Sequence, residues 1–121
     1  MINQSRPFKR SDRVGDKVRL SISEILLKNI IISNSGLITI TRVDMSRDLR
    51  YAKIFFSHID TNLSTADLEK KLNQNKNKIR YYLGNSLGTK HVPNIDFKFD
   101  KKYEKANRIE NLISKVKKKY E

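Results

Sequence analysis

The chain has 121 residues, too few for two ordinary hydrophobic cores and enough for one. It carries 26 Lys and Arg against 13 Asp and Glu, a formal charge of +13 that favours a polyanionic partner, nucleic acid before an anionic membrane surface. It has no cysteine, which excludes disulfides, zinc fingers and a thiol nucleophile, and no apolar run near the about 20 residues that span a bilayer. The Lys, Asn and Ile richness also fits a biased genome, so charge alone gives no lysine a contact.

Residues 1–9 read as a basic, flexible lead-in without the apolar core of a signal peptide, which points to a soluble, cytoplasmic protein. One domain is expected over 10–119. Ser11 or Asp12 is expected to cap a first helix, whose apolar face is Val14, Val18, Ile22, Ile25 and Leu26. Arg13, Lys17, Arg19 and Lys28 fall off that face. Ser33, Asn34, Ser35 and Gly36 then break the helix and allow positive φ.

A β-hairpin follows. Leu37, Ile38, Ile40 and Val43 mark its first strand; Ala52, Ile54 and Phe56 recur at period two in its second. Asp44, Ser46, Arg47, Asp48 and Arg50 crowd the tip, where short polar side chains bond their own backbone. Asp48 is expected to order that tip or to pair with an arginine. Ser64 or Thr65 is expected to cap the next helix, which carries Leu68 and Leu72. The wholly polar run Asn73 to Lys78 interrupts the apolar stripe before Ile79, Leu83 and Leu87, which predicts a break into two helices near Asn75, Lys76 and Asn77.

Pro93 stops the second of these helices, and Ile95, Phe97 and Phe99 alternate with Asp96 and Lys98 as a third strand. Phe55, Phe56, Phe97 and Phe99 are all assigned to the core. Asp100 is expected to cap a last helix with Ala106, Ile109, Leu112, Ile113 and Val116 on its apolar stripe. The order is α-β-β-α-(kink)-α-β-α, an α+β domain with a three-stranded sheet and helices packed on one face.

That order, with a helix-kink-helix between strands two and three, resembles the KH-like fold in its type II topology. The residues resemble one family, ribosome-binding factor A, a bacterial assembly factor of the small ribosomal subunit. The likeness is best from Arg42 to Ile54, where Val43, Ser46, Asp48, Leu49 and Ala52 fit its V-x-x-S-x-D-L-x-x-A pattern. It continues at Ile79-Arg80, Leu83-Gly84, Val92-Pro93, Phe97-x-x-Asp100, Arg108-Ile109 and Leu112-Ile113. The chain departs at the kink, where the family has a small Ala-x-Gly and this sequence reads Asn75-Lys76-Asn77, and at Asn94, where many members have Glu.

The resemblance implies a factor that binds the free 30S subunit and its 16S rRNA and assists late maturation, including 5′-end processing, by binding and not as an enzyme. A generic basic RNA- or DNA-binding domain is the alternative. The usual KH Gly-x-x-Gly clamp is absent; the pair here is Gly84 and Gly88. Expected RNA contacts are Arg47 and Arg50 at the tip, Lys76, Lys78 and Arg80 at the kink, and Lys90 beyond it. His58 and His91 make no metal pattern, and no cofactor or metal is expected. The free protein is expected to be a monomer that does not bind membranes.

Overall fold

Two strands of nine residues each, β1 (Leu37–Met45) and β2 (Tyr51–Ile59), pair antiparallel. A shorter strand, β3 (Asn94–Phe99), lies parallel to β2, so the sheet order is β1-β2-β3 with β2 central. The computed structural model describes residues 10–88 and 91–103. Three helices, α1 (Arg10–Lys28), α2 (Thr65–Gln74) and α3 (Lys76–Leu87), cover one face of the sheet. The α-β-β-α-α-β order is the expected one. A helical turn begins after Asp100; the rest of the last helix, with Ala106, Ile109, Leu112, Ile113 and Val116, lies outside the described residues.

The core follows from the two periodicities. Val18, Ile22 and Ile25 line the inner face of α1, Leu68 and Leu72 that of α2, and Ile79, Leu83 and Leu87 that of α3. Ala52, Ile54, Phe56, Ile95 and Phe97 meet them from the sheet. Phe56 and Phe97 are fully buried, each contributing about 2–3 kcal/mol by removal from water. Phe55 corrects the sequence assignment. It has the opposite parity to Ile54 and Phe56, stays half exposed, and lies under the Arg42 guanidinium, whose carbon is 4.0 Å from the ring centroid. Helix α1 already includes Ser11 and Asp12, so these sit in its first turn and not before it.

β1 is not regular. Its register shifts between Ile40 and Arg42, leaving Thr41 as an extra residue. The bulge changes the phase of the strand: Ile38 and Ile40 face the core before it, Val43 and Met45 after it. It also aims the Thr41 hydroxyl at Asp100, to which it donates at 2.6 Å. Asp100 gathers several groups at the end of β3. Its amide donates to the Phe56 carbonyl at 2.8 Å, its second carboxylate oxygen accepts from the Tyr103 amide at 3.0 Å as a helix cap, and Arg42 Nε lies 4.0 Å away.

The helices are fixed by local chemistry. Ser64 caps α2, its hydroxyl accepting from the Asp67 amide at 3.1 Å. At Gly36, φ is +66° and a Cβ would lie 2.2 Å from the Ile59 carbonyl oxygen, so only glycine closes the start of the hairpin. At Gly84 a Cβ would come within 2.9 Å of a Val92 methyl, so the segment entering β3 lies directly on α3. The outer edge of β3 is covered by α2. The Asn73 amide accepts from Phe97 N–H at 2.8 Å and donates to Phe97 C=O at 3.1 Å, as a neighbouring strand would. Glu69 accepts from the Phe99 amide at 3.0 Å.

Two outcomes follow. Asn73→Ala leaves both polar groups of Phe97 without their side-chain partner and should cost about 2 kcal/mol in urea unfolding, well above Asn→Ala at exposed Asn77. The second concerns Asp100. Burial alone would raise its pKa, but the bonds from Thr41 and Tyr103 and the nearby Arg42 outweigh it and hold the carboxyl below the usual range. A group with a depressed folded pKa stabilises above its unfolded pKa, about 3.9, and loses that contribution as pH falls through the folded value. Thermal melts from about pH 5 to pH 2 should therefore fall less steeply for Asp100→Asn than for the parent chain.

Candidate nucleic-acid interface

The hairpin tip is a tight turn tied by its own side chains. The Leu49 amide donates to Ser46 C=O at 3.0 Å, and Leu49 takes the left-handed conformation at φ 62°. Ser46 Oγ donates to Asp48 at 2.7 Å and accepts from the Tyr51 amide at 3.0 Å; the Arg50 amide donates to the same Asp48 oxygen at 3.1 Å. These bonds, from Ser46 first and the Arg50 amide second, lower the Asp48 pKa. Asp48 orders the turn through a hydroxyl and a backbone amide, and the charge of Arg50 adds a smaller attraction. Arg47 and Arg50 are exposed, and neither is held in an ion pair among the described residues.

The second element is the junction of α2 and α3. Asn75 ends one helix and precedes the other, with φ −96° and ψ 5°. Its side-chain amide turns back to the Lys71 carbonyl at 2.8 Å and gives α3 no cap. The opening amides of α3 thus lack a capping side chain, and its first turn holds no acidic residue. Instead Lys76 and Lys78 stand there, both exposed and neither in an ion pair among the described residues. Cations at the positive end of a helix dipole are locally unfavourable; an anion bound there reverses the sign.

A cleft of about 230 Å³ joins the two elements, lined by Tyr51, Lys76, Asn77, Arg80, Asn94 and Asp96. The Asn94 amide donates to the Arg50 carbonyl at 2.9 Å, which sets the start of β3 against the base of the hairpin tip. Tyr51 and Asn94 therefore lie at one side of the cleft, next to the Arg50 backbone, and the start of α3 at the other. Uncapped amides, Lys76 and Arg80 in the lining, and the exposed Lys78, Arg47 and Arg50 on the adjoining elements, with Asp96 as the carboxylate in the lining, make a place for a chain of phosphates.

The expected residues divide. Arg47, Arg50, Lys76 and Lys78 remain available as cations. Arg80 lines the cleft and is also tied down: its Nε donates to Pro93 C=O at 3.0 Å and a terminal nitrogen to Val92 C=O at 3.1 Å, so it holds the entry to β3 against α3 while keeping its charge. Lys90 lies outside the described residues. Tyr51, Asn94 and Asp96 line the cleft although sequence reasoning passed over them as sites. Their signal was faint: Tyr51 is an aromatic residue one position out of phase with the buried Ala52, Ile54 and Phe56.

Comparison with known proteins adds three likenesses to a family match. The model of the ribosome-binding factor A family matches residues 10–113. A ribosome-binding factor A from Geotalea daltonii is 34% identical over 109 residues, covering 90% of this chain and 89% of that protein. The crystal structure of ribosome-binding factor A from Thermus thermophilus superposes with a TM-score of 0.64 at 11% identity, over 74% of this chain and 96% of that one. A Thermus thermophilus ribosome-binding factor A fitted into the cryo-EM map of its complex with 30S gives 0.61 at 11% identity, over 72% and 91%. These structural neighbours give the fold as KH-like.

The lysines at the start of α3 generate a trade-off. Replacing Lys76 and Lys78 together by Glu should raise the stability of the free protein by about 0.5–1 kcal/mol, because acidic residues suit that helix end. The same change should weaken binding to RNA and reduce its salt dependence. Urea unfolding and a salt titration of binding check the two halves; a variant both less stable and equally tight-binding contradicts this account of the junction.

Proposed function

This chain belongs to the ribosome-binding factor A family, and we propose that it binds the free 30S ribosomal subunit and assists late maturation of 16S rRNA, including processing of the 5′ end. It does so by holding RNA in place and not by catalysis. The observation that carries this reading is the cleft lined by Lys76, Asn77 and Arg80 of α3 and by Tyr51, with the uncapped start of α3 at its edge and the exposed cations Arg47, Arg50 and Lys78 on the two elements that meet there. Each fixed phosphate releases condensed counterions, so affinity would rise with the number of cations engaged and fall with salt. The complex described for the Thermus thermophilus relative supports 30S as the partner. The likeness to family members over nine-tenths of the chain supports the role in maturation.

A binder needs a rigid scaffold more than an activated group, and the ordered hairpin tip fits that need. Asp48 and Ser46 fix the backbone from which Arg47 and Arg50 project, so less side-chain and loop entropy is lost on contact. A guanidinium grips a phosphate in two bonds, and two of them on one turn define a direction for the strand.

Co-sedimentation with small subunits, large subunits and whole ribosomes across a salt series tests the reading. Selective pelleting with free small subunits is expected. The double variant Arg47→Ala/Arg50→Ala should lose about tenfold or more in affinity and show a shallower salt slope, with its circular dichroism spectrum unchanged. Equal pelleting with all three particles, lost at modest salt, would instead favour a generic basic RNA binder.

A further inference from the structure

On another side of α3 lies a second hollow of about 360 Å³, closed by the turn that leaves α1. Asn29 and Ile31 line it from that turn, and Asn75, Lys78, Tyr81 and Tyr82 line it from the start of α3 and the turns after it. Two of these side chains are bulky, apolar and in water: Ile31 is 91% exposed and Tyr81 68% exposed. The fold does not need them, since the core is served by their neighbours Ile30, Ile79 and Leu83.

The chemistry of the hollow is specific. Tyr82 packs against the core and meets Tyr81 edge to face, with centroids 5.4 Å apart and planes at 79°. A T-shaped contact occupies one face of a ring at most, so Tyr81 keeps a face for a flat partner. Asn29 and Asn75 offer amides, which both donate and accept. Asn75 has already committed a donor to the Lys71 carbonyl. Lys78 supplies a cation, and no carboxylate is among the lining residues. A planar face, amide edges and one cation match the three parts of a nucleotide: base face, base edge and phosphate.

We infer that this hollow takes one unstacked base of a single-stranded RNA segment whose backbone crosses the start of α3. The inference deepens the function proposed above and rests on it. Asn75 and Lys78 belong both to this hollow and to the junction, so a phosphate held at the uncapped amides places the neighbouring base within reach of Tyr81. The site is distinct from the basic cleft, which is lined by Lys76, Asn77 and Arg80 of the same helix. Stacking on an aromatic ring tolerates any base, so the hollow adds affinity for unpaired RNA over duplex more than for a given sequence.

The test uses the full chain and two short adenosine strands of equal length and charge. One carries a fluorescent adenine analogue; in the other that position is abasic. Binding should quench the analogue, and the abasic strand should bind about tenfold more weakly. Tyr81→Ala should abolish the quenching and the difference between strands while leaving the salt slope unchanged; Tyr81→Phe should keep both. Equal affinity for the two strands, or quenching that survives Tyr81→Ala, overturns the inference. So does a Tyr81→Ala variant that binds both strands as before but no longer pellets with small subunits, which would make the hollow a protein contact. If stacking fails while selective pelleting persists, the base site alone is wrong. If stacking holds without selectivity for small subunits, the ribosomal reading is wrong and the base site stands.

Discussion

The pairing of the Asn73 amide with both backbone groups of Phe97 is the contact on which the arrangement of the rest depends. β3 is short, lies at the edge of the sheet and is held by β2 on one side only. Without a partner, its other side would expose Phe97 N–H and C=O beside the core, and an open edge invites pairing with other chains. The asparagine acts as one residue of a missing strand. Because it sits on the last turn of α2, it also fixes where that helix ends, two residues before the junction at Asn75. The place of α3's first turn, and with it the position of Lys76 and Lys78, follows from a bond made to a strand twenty-odd residues later in the chain.

A second tie crosses the sheet from the opposite edge. The β1 bulge presents Thr41 to Asp100, and Arg42 lies across Phe55 toward the same carboxylate. Burying a charge is costly unless it is bonded on every side, and Asp100 meets that condition with a hydroxyl, a backbone amide and a guanidinium. Two polar anchors, Asn73 outside β3 and Asp100 at its end, thus set the register of a parallel strand whose apolar side chains alone define only its inward face.

Much of this was legible in the sequence. The alternation of Ala52, Ile54 and Phe56, the helical spacing of Val18, Ile22 and Ile25, and the Ser64 cap are local signals, and the structure keeps all of them. The break in the polar run from Asn73 to Lys78 was visible for the same reason. The reading went astray where hydrophobicity stood in for position: Phe55 is as apolar as Phe56, but strand parity puts it on the other face. Arg80 stands in the cleft lining as well as bonding two carbonyls, and charge alone does not show that second, structural tie. The cleft was the least legible feature. It is built from Tyr51, Asn77 and Asn94, brought together by pairing across long stretches of chain.

The parallel pairing of β2 with β3 has a consequence for the order in which the molecule comes apart. Ala52 meets Met45 across a short turn but meets Ile95 only after two intervening helices are in place. Closing a long loop before any contact rewards it is entropically expensive, so the hairpin is the early, self-contained unit and β3 a late addition. In native-state hydrogen exchange, the amides of β3 should then open below the energy that melts β1 and β2. The basic cleft lies on that seam. A polyanion spanning it would act as a splint across that joint and should register first as slower exchange in β3.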